Sequence, residues 1–453
     1  MAEGQAPPHQ TRLNFKLLLI GVALFSTGKL SAQIQGSAGQ QGTKPFTATV
    51  ALREGYDSNP LTQTYQSTTN VVSSTYTSVQ PSLGYNYTGL QADLALRYDF
   101  TGTYFASINQ SYDIQYSQAF IGRYTYAIDP RTSLTVSDNF IYSEQPVASL
   151  VTAGLAPTTN TQGFVNNLGT IQADYRVTDR LAMITRWNNS ILNTDGAATY
   201  NNTGGIVSGS ASASNYMNNG AFQQFRLDVS PETVATFTFD YQVYDYQSDQ
   251  NYRDNQQVSL SLGADQTFTP TITFSGRAGI QLNDNYGLSD SSATISSGGL
   301  GSGELEIGAF PFTAISSTWN YDQKSFVSGG LSIAVQQSNL ATSSDSEAYT
   351  INANWDHYFT DKLSVIQSIF LNVAVFTPQL TQAQSLAVSG SYQGSGQQTT
   401  LTYQCKFAYE IFPYLSAELG WSYTNYGSYF DVNNGNGGSY TRNQVYLGVR
   451  GTY

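Results

Sequence analysis

The chain has 453 residues and a formal net charge of −12, with 11% charged against 13% aromatic residues. Soluble globular domains carry about 25% charged residues, so an ordinary soluble domain is a poor match. An acidic chain also lacks the basic patch that nucleic acid requires. Its polarity (mean hydropathy −0.28) comes from Ser, Thr, Asn, Gln, Gly and 33 Tyr. Tyr suits a lipid–water boundary, where the ring is apolar and the hydroxyl stays wet.

In chain order, the first element is an export leader. Arg12 and Lys16 precede the apolar run Leu17–Phe25, and Leu30-Ser31-Ala32 before Gln33 is a small-residue cleavage site. Removing residues 1–32 takes away Arg12, Lys16, Lys29 and Glu3, so 16 basic and 30 acidic residues remain and the net charge becomes −14. Residues 33–45 read as a short periplasmic segment and 46–453 as the membrane unit. Beyond the leader no stretch approaches the ~20 apolar residues of a spanning helix. Lipid forbids unpaired backbone groups, so a membrane chain without such helices closes a barrel.

The rest of the chain repeats one pattern, apolar alternating with polar residues, then a turn or loop. The clearest segment is Leu90–Tyr104. Leu90, Ala92, Leu94, Leu96, Tyr98, Phe100, Gly102 and Tyr104 share one face; Asp93, Arg97 and Asp99 share the other. The same split recurs at 272–283, 401–410 and 415–424. Short turns are expected at Tyr87-Thr88-Gly89, Asp129-Pro130-Arg131, Thr178-Asp179-Arg180, Ser230-Pro231-Glu232, Thr269-Pro270, Phe310-Pro311-Phe312, Thr360-Asp361-Lys362 and Phe412-Pro413-Tyr414, because Pro and Asp set turn geometry and break a ladder. Longer polar loops are expected near 57–75, 145–161, 194–214, 285–300, 336–346, 377–396 and 427–439. In 313–346 Gly329-Gly330 interrupts a run that reads as one long strand or as one with an added hairpin. The last segment places Val445, Leu447, Val449, Gly451 and Tyr453 on one face and resembles the C-terminal signal that outer-membrane assembly machinery reads.

These elements predict an all-β fold, a transmembrane antiparallel up-and-down β-barrel. It has about 18 strands, within a range of 16–20, with short periplasmic turns and long extracellular loops. The polar phase of the strands predicts a charged lumen lined by Arg53, Asp93, Arg97, Asp99, Arg123, Asp174, Arg176, Arg186, Arg226, Asp228, Asp240, Asp265, Arg277, Glu304, Glu306, Lys406, Glu410, Glu418 and Arg450. Barrels of about 16–18 strands leave an aqueous channel.

Val50-Ala51-Leu52-Arg53-Glu54-Gly55-Tyr56-Asp57-Ser58-Asn59-Pro60 resembles the first strand of the β-barrel porin 2 (OmpL-like) family of Gram-negative outer-membrane barrels. Val177-Thr178-Asp179-Arg180-Leu181 and Phe359-Thr360-Asp361-Lys362-Leu363 resemble that family's periplasmic turns. The likeness is specific at these segments and architectural elsewhere. It implies an outer-membrane barrel, with a link to extracellular polysaccharide, and carries over no catalytic residue.

No catalytic residue, cofactor or metal is assigned from the residues themselves. His357, in Trp355-Asp356-His357-Tyr358-Phe359, shares a face with Tyr349, Ile351, Ala353, Trp355 and Phe359 and reads as an interface residue. The alternative is the base of a lipid-acting hydrolase, which would need a nucleophile beside it. Cys405, between Tyr403 and Phe407, reads as a small apolar residue in lipid contact; one Cys excludes an intramolecular disulfide. The acids from Asp249 to Asp254 read as solvated rather than Ca²⁺-holding. Expected partners are outer-membrane lipid and lipopolysaccharide, the barrel-assembly machinery and saccharides. The expectation is a passive, water-filled, porin-like channel for small polar solutes or sugars. The rival expectations are a non-transporting surface barrel or polysaccharide-export component and, more remotely, the hydrolase.

Overall fold

The computed structural model describes residues 45–62, 71–108, 113–144, 163–194, 199–200, 206–207, 215–246, 254–284, 308–337, 345–376, 396–430 and 439–453. The proposed leader 1–32, Glu304 and Glu306 lie outside the described residues. In chain order the strands are β1 Phe46–Asp57, β2 Ser74–Thr88, β3 Ala92–Phe105, β4 Ile114–Asp129, β5 Thr132–Ser143, β6 Phe164–Arg176 and β7 Leu181–Thr194. The two-residue strands β8 Thr199–Tyr200 and β9 Ile206–Val207 follow. Then come β10 Tyr216–Asp228, β11 Thr233–Tyr246, β12 Asn255–Thr269, β13 Ile272–Asp284, β14 Gly308–Asn320, β15 Phe326–Gln337 and β16 Asp345–Tyr358. The last are β17 Leu363–Phe376, β18 Gly396–Phe412, β19 Leu415–Phe430 and β20 Ser439–Thr452.

Eighteen of these form one closed sheet; β8 and β9 pair only with each other. Each barrel strand runs antiparallel to its neighbour in sequence, with β7 beside β10. The ring closes where β1 pairs with β20, Thr49 opposite Thr452 through Asp57 opposite Gln444. Tyr453 and Ala48 exchange both backbone hydrogen bonds at that seam, at 2.8 and 3.2 Å. Closure leaves no open sheet edge, which is what a lipid environment demands of a sheet.

The alternation of side chains fixes two surfaces. Val50, Leu52, Leu83, Tyr98, Phe239, Leu262, Ile280, Ile351, Leu419 and Leu447 are all exposed on the outer wall. Every Arg and Lys of the barrel strands has the opposite phase and faces inward. The reason is energetic: a basic side chain on the lipid face at mid-depth costs about 2–4 kcal/mol. Acids interrupt the outer belt, among them Glu54 on β1, which accepts the Thr77 hydroxyl at 3.1 Å, and Asp138 on β5. Asp138 lies between Gly122 and Gly169 on the adjoining strands, and its side chain is sheltered there at 6% exposure.

Seven of the eight expected short turns connect consecutive strands, as at Asp129-Pro130-Arg131 between β4 and β5. The eighth is corrected. Phe310-Pro311-Phe312 lies inside β14, and the turn falls at Tyr321-Asp322-Gln323-Lys324-Ser325. That turn contains neither Pro nor Gly. Asp322 builds it instead, since its carboxylate accepts Gln323 N–H at 2.7 Å and its own N–H donates to Ser325 C=O at 3.3 Å. Gly329 and Gly330 sit within β15 and make no turn. Two connections were missing from the expected set of long ones, 106–113 and 247–254, which brings the loop end to nine.

Pro311 leaves a mark on the wall. β14 pairs with β15 only from Thr313 opposite Ile333 to Asn320 opposite Phe326. Continuing the register would set Pro311, which has no N–H to give, opposite Val335. The Gln281 side chain takes over that place. Its amide donates to Val335 C=O at 3.2 Å and accepts Val335 N–H at 2.9 Å.

Candidate functional site

The candidate site is the inner wall. Of the expected lining residues, all that are described carry the inward phase: Arg53 on β1, Asp93, Arg97 and Asp99 on β3, Arg123 on β4, Asp174 and Arg176 on β6, Arg186 on β7, Arg226 and Asp228 on β10, Asp240 on β11, Asp265 on β12, Arg277 on β13, Lys406 and Glu410 on β18, Glu418 on β19, and Arg450 on β20. Three inward charges escaped the sequence reading: Asp57, Asp356 and Arg442. Asp57 shares parity with Arg53 and Gly55, a usable signal, but it falls at the first position of the loop expected near 57–75. Among the described strand residues the inner wall therefore carries ten basic and ten acidic side chains. The chain's acidic surplus lies elsewhere.

The first and last strands bring the densest cluster together. Arg53 Nη2 lies 2.8 Å from Glu418 Oε2, and Arg450 Nε lies 2.8 Å from Glu418 Oε1. Arg53 and Glu418 are on β1 and β19, with β20 between them. The residue between them on β20 is Gly448, level with both. A Cβ there would stand 2.7 Å from Arg53 Cγ, so the glycine is what lets the arginine cross the strand. Arg53 also lies 4.5 Å from the Tyr446 ring centroid. On the far wall Gly263 of β12 leaves room for the stem of Arg277 from β13, whose Cγ would be 2.5 Å from an added Cβ. There Asp265 lies between Arg226 and Arg277, at 3.6 and 3.9 Å.

Nearer the loop end, Asp57 is fully buried. Its carboxylate accepts three bonds from Arg442, two from Nε and the shortest, 2.6 Å, from Nη2, with one from Gln444 Nε2 at 2.8 Å and one from Asn59 N–H at 3.0 Å. Ser58 and Asn443 exchange further bonds across the same seam. The Gly-Tyr-Asp-Ser-Asn segment is thus a latch that fastens the first loop to β20. Arg97 and Asp99 pair at 2.8 Å within β3, and both are partly exposed. Such pairs brace a wall weakly, at about 0–1 kcal/mol each.

The outer wall holds the residues of the enzyme reading. His357 lies among Trp355, Tyr321 and Phe359. The Trp355 indole N–H donates to Tyr321 Oη at 2.7 Å, and Tyr321 Oη lies 2.8 Å from His357 Nδ1. This is an aromatic group at the short-turn end of the barrel. Cys405 lies on the outer face between Tyr403 and Phe407, opposite Trp421. Val445, Leu447, Val449 and Tyr453 are exposed on the outer wall. Below the wall, Lys324 Nζ lies 2.9 Å from Asp361 Oδ1. The pairing draws the Asp361 carboxyl below its ordinary range and raises Lys324.

No family model matches the chain, and no curated protein matches it. Among solved structures it is similar to several outer-membrane barrels. The siderophore receptor PirA from Pseudomonas aeruginosa is 9% identical, with 91% of this chain and 81% of that chain covered and a TM-score of 0.41. The outer membrane protein OpdK from Pseudomonas aeruginosa is 9% identical, with 90% and 99% covered and a TM-score of 0.42. The FrpB iron transporter from Neisseria meningitidis, F5-1 variant, is 8% identical, with 91% and 82% covered and a TM-score of 0.44. The barrel assignment stands on the strand pairing itself.

Proposed function

We propose that the protein is an outer-membrane channel through which small polar solutes, sugars among them, diffuse passively. The observation that carries this reading is the inner wall: among the described strand residues it holds twenty charged side chains of balanced sign, on an eighteen-strand closed sheet whose outer face is mainly apolar. Charges in such number need water, and a barrel of this size has room for it. Fixed charges of both signs around a lumen order its water and favour polar over apolar solutes. The apolar leader supports export, and the exposed face ending in Tyr453 supports delivery by barrel-assembly machinery through edge pairing. The Gly-Tyr-Asp-Ser-Asn latch is the segment that ties the chain to OmpL-like porins, so membership of that family belongs to the same reading. The test is conductance of the purified barrel in a planar lipid bilayer. Discrete single-channel steps are expected; a folded barrel that inserts and gives none overturns the reading.

A further inference from the structure

The inward charges are sorted by height. Strand position can be counted from the end that bears the short turns. Arg97, Arg186 and Arg277 are then each the sixth residue of β3, β7 and β13; Arg123 and Lys406 are the seventh of β4 and β18; Arg53 is the eighth of β1. Only two acids share that band, Asp99 and Asp240, each the eighth of its strand. All other inward acids except Asp57 lie within five residues of the turns, where three arginines accompany seven acids. The balanced wall is therefore a basic girdle at mid-lumen above an acidic ring.

Three members of the girdle form no close ion pair among the described residues. Arg53, Arg97 and Arg277 pair with carboxylates within 4 Å, whereas Arg123, Arg186 and Lys406 form no ion pair that close among the described residues; Asp240 acts on Arg186, and Glu418 and Asp356 on Lys406, only from farther away. Arg186 is held with its guanidinium 4.0 Å over the Phe222 ring. Stacking occupies the face of the guanidinium and leaves its N–H edge available, the fork that matches an oxyanion. Unpaired cations confined in a lumen attract anions more strongly than the same cations on an open surface.

We propose that this girdle is a binding station for small oxyanionic solutes, above all carboxylates. The inference rests on the aqueous-channel reading and names the solute class of that same lumen. Citrate is the probe, added to the purified barrel in a planar bilayer at fixed KCl. Wild type is expected to show a concentration-dependent drop in single-channel current. In the variant Arg123→Gln/Arg186→Gln/Lys406→Gln the half-blocking concentration should rise at least tenfold. A charge-matched control, Arg131→Gln/Arg180→Gln/Lys362→Gln in the turns, should keep the wild-type value. Heat-modifiable gel migration verifies that each variant has folded. A conducting wild type indifferent to citrate, or equal block in the triple lumen variant, overturns the station. A barrel that gives no conductance removes the channel reading instead. The station is then decided by calorimetric titration of the detergent-solubilised barrel with citrate, where absence of heat, or equal affinity in the lumen variant, overturns it.

Discussion

The seam that closes the barrel and the seam between β14 and β15 are built differently. Where β20 meets β1, the partners come from opposite ends of the sequence, and side chains reinforce the ladder: Asp57 with Arg442 and Gln444, and Arg53 with Glu418 across Gly448. Between β14 and β15, joined by the turn at 321–325, the ladder stops at Thr313, and one side-chain amide, that of Gln281, substitutes for it beyond. The contrast follows from loop closure. Closing a long loop costs more chain entropy than closing a short one, and a hairpin is held in register by its own turn. Only the distant pair needs specific side chains to choose its partner and alignment.

The comparison is broken most severely at the closing seam. Arg442→Ala leaves the Asp57 carboxylate buried without its cation. Loss of one partner of a buried pair costs roughly 3–5 kcal/mol. The folded, fast-migrating band should therefore disappear at a clearly lower temperature in a heat-modifiability series, and an unchanged melting profile would show that the latch does not secure closure. At the β14–β15 seam the expected effect is smaller. Gln281→Ala leaves the Val335 N–H and C=O unpartnered, at about 1–3 kcal/mol. Pro311→Ala restores an N–H able to pair with Val335, so Gln281→Ala should cost less in that background. A double-mutant cycle measures the difference, and additive costs would mean that the amide does not stand in for the missing backbone bond.

The same two regions show what was legible in the sequence. Period-two alternation at Leu94, Leu96, Tyr98 and Phe100 against Asp93, Arg97 and Asp99 was enough to give strand phase, because one residue of slip would carry every charge to the lipid face. Pro-containing turns such as Asp129-Pro130-Arg131 were legible for their fixed φ. Pro311 misled for the same reason: it is tolerated in β14 because it lies past the end of pairing with β15, a fact of register that no local window contains. The turn that replaced it, Asp322 to Ser325, had a signal in Asp322, since Asp side chains bond nearby backbone N–H groups. Within the candidate site, the facing of Arg53 and Glu418 was readable from parity. Their contact was not, because 365 positions separate them and only ring closure makes them neighbours. The role of Gly448 was hidden for that reason too. The basic girdle needed strand ends as well as phase, and the short-turn ends were known everywhere except at 321–325.

Phase is the claim on which both the lumen and the channel depend, and thiol labelling in intact outer membranes tests it most directly. The native Cys405 faces the outer wall. In a Cys405→Ser background, Arg97→Cys presents a thiol on the inner wall of β3. A small, charged, lipid-impermeant thiol reagent should modify Arg97→Cys and leave wild-type Cys405 unmodified. Modification of Cys405 with protection of Arg97→Cys would contradict the account, because it would turn the barrel's charged face toward lipid.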